Sequence, residues 1–131
     1  MVLLEEVTRR LGPGVHFSCE KFYAAPGSRT ALWGPSGCGK STMLNLITGL
    51  LRPDSGTLRI DGADITALSE SRMDAFRGER MGFVFQTFNL LQGYTALENV
   101  LLGMLFGRGS DTAFAKSLLA RVGLADRMNY K

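Results

Sequence analysis

The glycine-rich stretch GPSGCGKS at residues 34–41 limits the possible folds of this chain more than any other feature. It satisfies the pattern G-x-x-x-x-G-K-[ST], in which glycines allow backbone amides to turn inward around an anion. The pattern indicates a phosphate-binding loop where a strand precedes it and a helix follows it. Both are predicted here, because RTALW at 29–33 is typical of a buried strand and a helix is predicted to start at Lys40.

Each part of this loop has a predicted role in holding phosphate. The loop amides and the positive end of the following helix bind the phosphates, Lys40 reaches the outer ones, and the Ser41 hydroxyl binds Mg²⁺. A glycine-rich turn followed by a lysine by chance is the alternative, and the low frequency of glycine makes such a match rare. The predicted binding residues are Gly34, Pro35, Ser36, Gly37, Cys38, Gly39, Lys40, Ser41 and Thr42.

The remaining patterns predict an α/β fold. The predicted strands are Val2–Val7, His16–Phe22, Arg29–Trp33, Gly82–Phe85, and a hairpin of Thr57–Ile60 with Ala63–Thr66. The predicted helices are Lys40–Leu51, Ser69–Arg77, one from Thr95 to about Phe106, and Asp111–Val122. We expect a parallel core around the loop, an antiparallel N-terminal layer and the start of a helical subdomain, with the chain divided into 1–85 and 86–131.

Composition excludes several classes of protein. With 45% hydrophobic and 21% charged residues, the 131-residue chain is globular, either one domain or a piece of a larger one. The net charge of +3 is scattered, so no nucleic-acid partner is expected. Two cysteines are too few for a disulfide framework, and early glutamates argue against a secretion signal. The longest apolar run, Val100–Phe106, is too short to span a bilayer, so any membrane link requires a partner.

Gln86 follows the predicted strand GFVF. A glutamine at the end of a strand is usually only a polar stop. Its amide is also able to bind Mg²⁺ or to orient a water, as glutamine does in some phosphate-loop enzymes. The residue alone leaves both interpretations open.

Two long segments resemble the ATP-binding subunits of ABC transporters. GPSGCGKSTMLNLITGLLRPDSGTLRIDG at 34–62 is similar to that family's Walker A loop and the hairpin after it. MGFVFQTFNLLQGYTALENV at 81–100 is similar to its Q-loop, with Gln86 at the glutamine position. The sequence FVFQTFNLL is similar to that of the branch serving lipoprotein release and macrolide export. The N-terminal residues instead resemble those of molybdate-importer ATPases.

The resemblance implies an ATPase that couples ATP binding and hydrolysis to transport through a separate membrane subunit. It implies ATP and Mg²⁺ as cofactors, Lys40 and Gln86 as catalytic residues, and Ser41 and Gln86 as metal ligands. It also implies a homodimer that sandwiches two ATP molecules, bound to a permease at the cytoplasmic face of the membrane. Two alternatives stay open: a soluble ABC-type ATPase acting on DNA or ribosomes, and a nucleotide-binding module without hydrolysis.

The chain departs from the family pattern in two ways. Leu11 stands where the family usually has an aromatic residue that stacks on adenine, with His16 or Phe17 as possible substitutes. The chain also stops at Lys131, before the LSGGQ signature, the acidic strand end and the switch histidine. Neither Asp61, in a predicted turn, nor Asp126, past a helix end, replaces the acid. We therefore expect this chain to bind nucleotide without hydrolysing it efficiently.

Three further predictions concern side chains outside these motifs. Trp33 and the aromatic residues around Gln86 are expected in the core, although the resemblance places Phe88–Leu91 toward the membrane partner. Cys38 is either a tolerated variable position of the loop or a thiol that reacts when the loop is empty.

Overall fold

The computed structural model describes residues 1–105 and 109–131. They form two compact units, Met1–Met73 and Asp74–Lys131. The division after residue 85 that the sequence indicates stays a prediction. Phe106, at the predicted end of one helix, lies outside the described residues.

The first unit contains an antiparallel sheet with the strand order β2-β1-β3-β4. The strands are β1 at Val2–Gly12, β2 at Val15–Ala24, β3 at Ser55–Ile60 and β4 at Ala63–Asp64. This sheet confirms the predicted antiparallel N-terminal layer. The hairpin turn between β3 and β4 is also confirmed, because Asp61 and Gly62 both have positive φ, at 47° and 84°, as a type I′ turn requires.

Helix α1, Lys40–Ile47, has the buried residues Met43 and Leu46, and Leu46 lines a small cavity together with Leu58 of β3. Its start agrees with the prediction, but its end comes before the predicted Leu51. The reason is Gly49, whose φ of 66° ends the helical path. Most other residues adopt such an angle only with strain. The side chains of Leu4, Val7, Leu46 and Leu58 form the fully buried centre of this unit.

Two predicted strands are wrong. Residues 29–33 and 82–85 have no strand conformation, and Trp33 is 97% exposed rather than part of the core. A strand needs a hydrogen-bonded neighbour on at least one side, and among the described residues neither segment has one. The apolar composition of the two segments is typical of strands, but it does not specify a strand with which they pair. The predicted parallel core is therefore not formed by these residues, while the α/β class stands.

Helix α2, Glu70–Arg80, spans the division between the units and is longer than predicted. The second unit continues with α3 at Ala96–Leu105, α4 at Thr112–Arg121 and a 3₁₀ helix at Ala125–Arg127. The backbone amides of Ala96 and Leu97 donate hydrogen bonds to Tyr130 and Met128, so the C-terminal segment fixes the start of α3.

The predicted start of α3 and both predicted ends of α4 are confirmed. At α3 the Thr95 amide donates to Glu98 Oε2 at 2.7 Å and the Glu98 amide donates to Thr95 Oγ1 at 3.2 Å, which is a capping box. Those hydrogen bonds from Thr95 lower the pKa of Glu98. At α4, Asp111 caps the start and Gly123, with φ 77°, follows the end.

Candidate phosphate-binding site

The loop before α1 has a backbone that requires glycine. Gly37 and Gly39 have φ angles of 81° and 95°, in the left-handed region that other residues avoid. At Gly39 a Cβ atom would also lie 2.9 Å from the ring of Phe17. At Gly34 a Cβ atom would lie 2.8 Å from Cys38 Sγ. The glycine spacing is therefore needed for the loop to take this shape.

The N-terminus of α1 opens directly onto this loop. Its N-cap residue is Gly39, and no side chain caps the first turn. The first hydrogen bond of the helix runs from the Met43 amide to the Gly39 carbonyl at 2.8 Å. The amides before Met43 thus have no partner within the helix, and they carry the positive end of its dipole. Such a terminus is suited to an anion.

Lys40 lies across the loop. Its Nζ donates hydrogen bonds to the Gly34 carbonyl at 2.8 Å and to the Pro35 carbonyl at 2.7 Å. The same Nζ lies 3.6 Å from Cys38 Sγ. The loop therefore has a positive charge held over it by its own backbone.

A cavity of about 290 Å³ adjoins these groups. It is lined by Leu11, Ser36, Gly37, Gly39, Lys40, Ser41 and Thr42. The Ser41 side chain, the expected Mg²⁺ ligand, thus borders the same space as the loop backbone. Leu11, at the end of β1 and 46% exposed, is the one large apolar side chain in this lining. Among the loop residues, Gly34, Pro35 and Cys38 do not border the cavity.

Gln86 belongs to the second unit, where it is exposed at a bend after the stacked rings of Phe83 and Phe85. Its predicted roles in catalysis and Mg²⁺ binding stay predictions. The segment after it is exposed, with Phe88 at 88%, so the expectation that these aromatic and aliphatic residues are mostly core is wrong. They have too few neighbours in their own unit to be covered.

The two acidic residues considered from the sequence as magnesium ligands, Asp61 and Asp126, do not line the cavity beside the loop. Asp61 lies in the turn after β3 and pairs with the N-terminal ammonium group at 2.5 Å, while Asp126 lies in the 3₁₀ helix. Within residues 1–105 and 109–131, no group of three or more His, Cys, Asp or Glu side chains is close enough to hold a metal ion. No described helix has the length and apolar character needed to cross a membrane.

Sequence reasoning missed Asp54, and it considered Phe17 only as a possible residue for stacking on the base. Phe17 packs against Gly39, and Asp54 binds the end of β1 that carries Leu11. The first depends on β1–β2 pairing, and the second on a loop 42 residues further along the chain than Gly12. Neither has a local motif that would have indicated its role.

Residues 20–131 match the family model described as ABC transporter. Because this match covers most of the 131 residues, the chain belongs to the ABC transporter ATP-binding family. The resemblance deduced from the loop and the Q-loop segment is therefore confirmed.

Curated relatives agree with this family. The chain is 44% identical over 110 residues to an uncharacterised ABC transporter ATP-binding protein of Mycobacterium bovis, covering 82% of this chain and 33% of that protein. It is 48% identical over 108 residues to the lipoprotein-releasing system ATP-binding protein LolD 2 of Rhodospirillum rubrum, covering 79% of this chain and 47% of that one. The chain thus spans a third to a half of the length of these relatives.

Solved structures show the same fold. The dimeric ATP-binding cassette MJ0796, in a post-hydrolysis state bound to ADP and Pi, superposes with a TM-score of 0.83 at 34% identity. The likeness covers 100% of this chain and 61% of the cassette chain. The fold is therefore that of an ABC ATPase cassette, over the part that the chain covers.

Proposed function

We propose that this chain is the nucleotide-binding part of the ATP-binding subunit of an ABC transporter, with the phosphates of ATP held at Gly34–Thr42. The observation that carries the proposal is the uncapped start of α1 beside a glycine loop that has the Lys40 ammonium across it. Family membership supports ATP as the nucleotide.

The residues of the loop fit a magnesium nucleotide. The first-turn amides of α1 would donate to phosphate oxygens, and Lys40 would exchange its bonds with two carbonyls for bonds with the outer phosphates. The Ser41 hydroxyl borders the cavity and would be one ligand of Mg²⁺, with the Gln86 amide proposed as another. The bound ion would neutralise charge on the phosphates.

Leu11 is the side chain proposed to contact the base. Its aliphatic surface can pack against a base but cannot stack on it as an aromatic ring does. Aromatic stacking is worth about 1–3 kcal/mol per base. We therefore propose a site that distinguishes weakly between adenine and guanine. Phe17 is engaged against Gly39, which argues against it as the stacking substitute.

We further propose that two copies pair around the nucleotide and that a membrane-embedded permease binds them at the cytoplasmic face of the membrane. The dimeric form of MJ0796 supports the first part, and the transporter name of the Mycobacterium bovis relative supports the second. The exposed apolar segment of Phe88, Leu90 and Leu91 is consistent with a protein partner.

Residues 1–131 are proposed to bind ATP without efficient hydrolysis. Hydrolysis requires charge stabilisation on the transferring group, and a contribution from a facing subunit is worth about 10³–10⁵ in rate in phosphate-loop enzymes. The experiment compares phosphate release by this chain with release by a chimera continued after Lys131 with the remainder of the Rhodospirillum rubrum relative. Both are measured at saturating Mg-ATP, with a Lys40→Ala chimera as the control.

We expect the chimera to release phosphate at least about 10³-fold faster than the chain. Equal turnover by the two proteins would contradict the proposed division between binding and hydrolysis. Phosphate release by the Lys40→Ala chimera measures any contaminating ATPase, and this rate is subtracted from the rates of the other two proteins.

A further inference from the structure

The end of β1 has an irregular register at Leu11. Against β2, Arg10 pairs with His16 and Gly12 pairs with Val15, and the register shifts between these two positions. Leu11 is the extra residue of a bulge, which bends a strand and changes the direction of a side chain. Bulges often re-aim side chains beside binding sites.

The bulge places Leu11 beside the phosphate loop. Leu11 shares a cavity of about 290 Å³ with Ser36, Gly37 and the first residues of α1. A nucleoside attached to a phosphate held by the loop would therefore have the Leu11 side chain in the wall of the same cavity. The position of Leu11 depends on how firmly the bulge is held.

Asp54, in the segment before β3, holds the two residues that precede the bulge. Its Oδ2 accepts a hydrogen bond from the Arg10 amide at 2.6 Å, and its Oδ1 accepts one from Arg9 Nη1 at 2.8 Å. The Asp54 amide in turn donates to the Thr8 carbonyl at 2.8 Å. Asp54 thus contacts three successive residues at the end of β1.

The charge of Asp54 suits this role. The hydrogen bond from the Arg10 amide, with the nearby Arg9 guanidinium, lowers the pKa of the Asp54 carboxyl below its ordinary value. The group is therefore ionised at neutral pH. Arg9 Nε is buried and has no hydrogen-bond partner among the described residues, and Arg9 Nη1 is bonded to Asp54.

We propose that Asp54 is a positioning residue of the nucleotide site, which holds the β1 bulge so that Leu11 lies beside the phosphate loop. The inference rests on the proposed function. It assigns to Asp54 an effect on the nucleoside part of the ligand and none on the phosphates. Asp54 itself does not border the cavity that the loop lines.

Two probes separate these effects in titration calorimetry: Mg-ATP, and magnesium tripolyphosphate, which has phosphates but no nucleoside. In Asp54→Ala we expect the affinity for Mg-ATP to fall about two- to tenfold, as for residues that act through a neighbour. The affinity for tripolyphosphate should stay within about twofold. Asp54→Asn, which keeps an acceptor for the Arg10 amide, should recover part of the loss.

The matched control is Ser55→Ala. It removes the hydrogen bond between the hydroxyls of Ser55 and Thr8, at 2.7 Å, next to Asp54 but leaves the bonds of Asp54 in place. Both affinities should be unchanged. A second test uses Leu11→Ala, which should reproduce the selective loss, and the double variant Asp54→Ala/Leu11→Ala should lose no more than the larger single loss.

Equal weakening of both probes in Asp54→Ala, or no weakening of either, would overturn the inference. Additive losses in the double variant would also overturn it, because Asp54 would then not act through Leu11. If Asp54→Ala does not fold, the same criteria apply to Asp54→Asn. If the unaltered chain binds neither probe, both the proposed function and this inference fail. If the unaltered chain binds both probes but Asp54→Ala has the same ratio of the two affinities, only this inference fails.

Discussion

Gly39 shows how one residue of the loop meets two separate requirements. Its φ of 95° favours glycine, and the Phe17 ring leaves no room for a Cβ atom. The first requirement was predictable from the motif, because the loop needs inward-facing amides. The second was not, because it depends on the pairing of β2 with β1 and on the direction that this gives Phe17.

Cys38 is the residue whose chemistry the loop makes testable. It is exposed and lies beside Lys40, whereas Cys19 on β2 is half-buried and its pKa is raised by that burial. We predict that maleimide labels Cys38 faster than Cys19 at neutral pH, because the thiolate is the reacting form. Saturating Mg-ATP should protect Cys38, because bound phosphates would cover the loop.

Mass spectrometry of the labelled protein gives the extent of reaction at each cysteine, so Cys19 is an internal control. Its labelling should be indifferent to nucleotide. Equal labelling of Cys38 with and without Mg-ATP would contradict the prediction that bound phosphates cover Cys38.

At the scale of elements, local signals were reliable and pairing signals were not. The Asp61-Gly62 turn, the Thr95–Glu98 capping box and the glycine after α4 all depend on a few neighbouring residues, and all are present. The predicted strands at 29–33 and 82–85 depend on distant neighbours, and they do not form among the described residues. Periodicity and composition cannot specify which segment lies beside a strand.

The irregular pairing of β3 with β1 near Gly56 gives a prediction for the stability of the sheet. A Cβ atom at Gly56 would lie 2.4 Å from the Glu6 carbonyl oxygen, with a φ of 88°. Gly62 has nearly the same φ, 84°, but nothing lies within 4 Å of its Cβ position. We predict that Gly56→Ala lowers the free energy of unfolding by about 1–3 kcal/mol more than Gly62→Ala, because a backbone atom cannot move aside easily.

Gly62→Ala is the matched control, since it has the cost of the positive φ alone, about 1–2 kcal/mol. Urea denaturation followed by circular dichroism measures both variants against the unaltered chain. Equal losses in the two variants would mean that the close contact between Gly56 and β1 is not formed.

For the molecule as a whole, the chain contains the part of an ABC cassette that includes the glycine-rich loop, and it spans a third to a half of the length of its curated relatives. The family and the loop were predictable because the motif is contiguous in sequence and its glycines are required by backbone geometry. The exposure of Trp33 and Phe88 was not predictable, because it depends on what covers them. Whether an apolar side chain is buried depends on the residues that pack around it as well as on its own hydrophobicity.

We propose that Gly34–Thr42 bind Mg-nucleotide, and the decisive experiment is titration calorimetry of Mg-ATP into the whole chain. Lys40→Ala is the informative variant, and Lys116→Ala, on the exposed face of α4, is the matched control for loss of a lysine. Charge-assisted hydrogen bonds are worth about 1.5–3 kcal/mol each, so the affinity of Lys40→Ala should fall about ten- to a hundredfold. We expect one site per chain, with that loss of affinity in Lys40→Ala and no loss in Lys116→Ala, and unchanged affinity in Lys40→Ala would contradict binding at this loop.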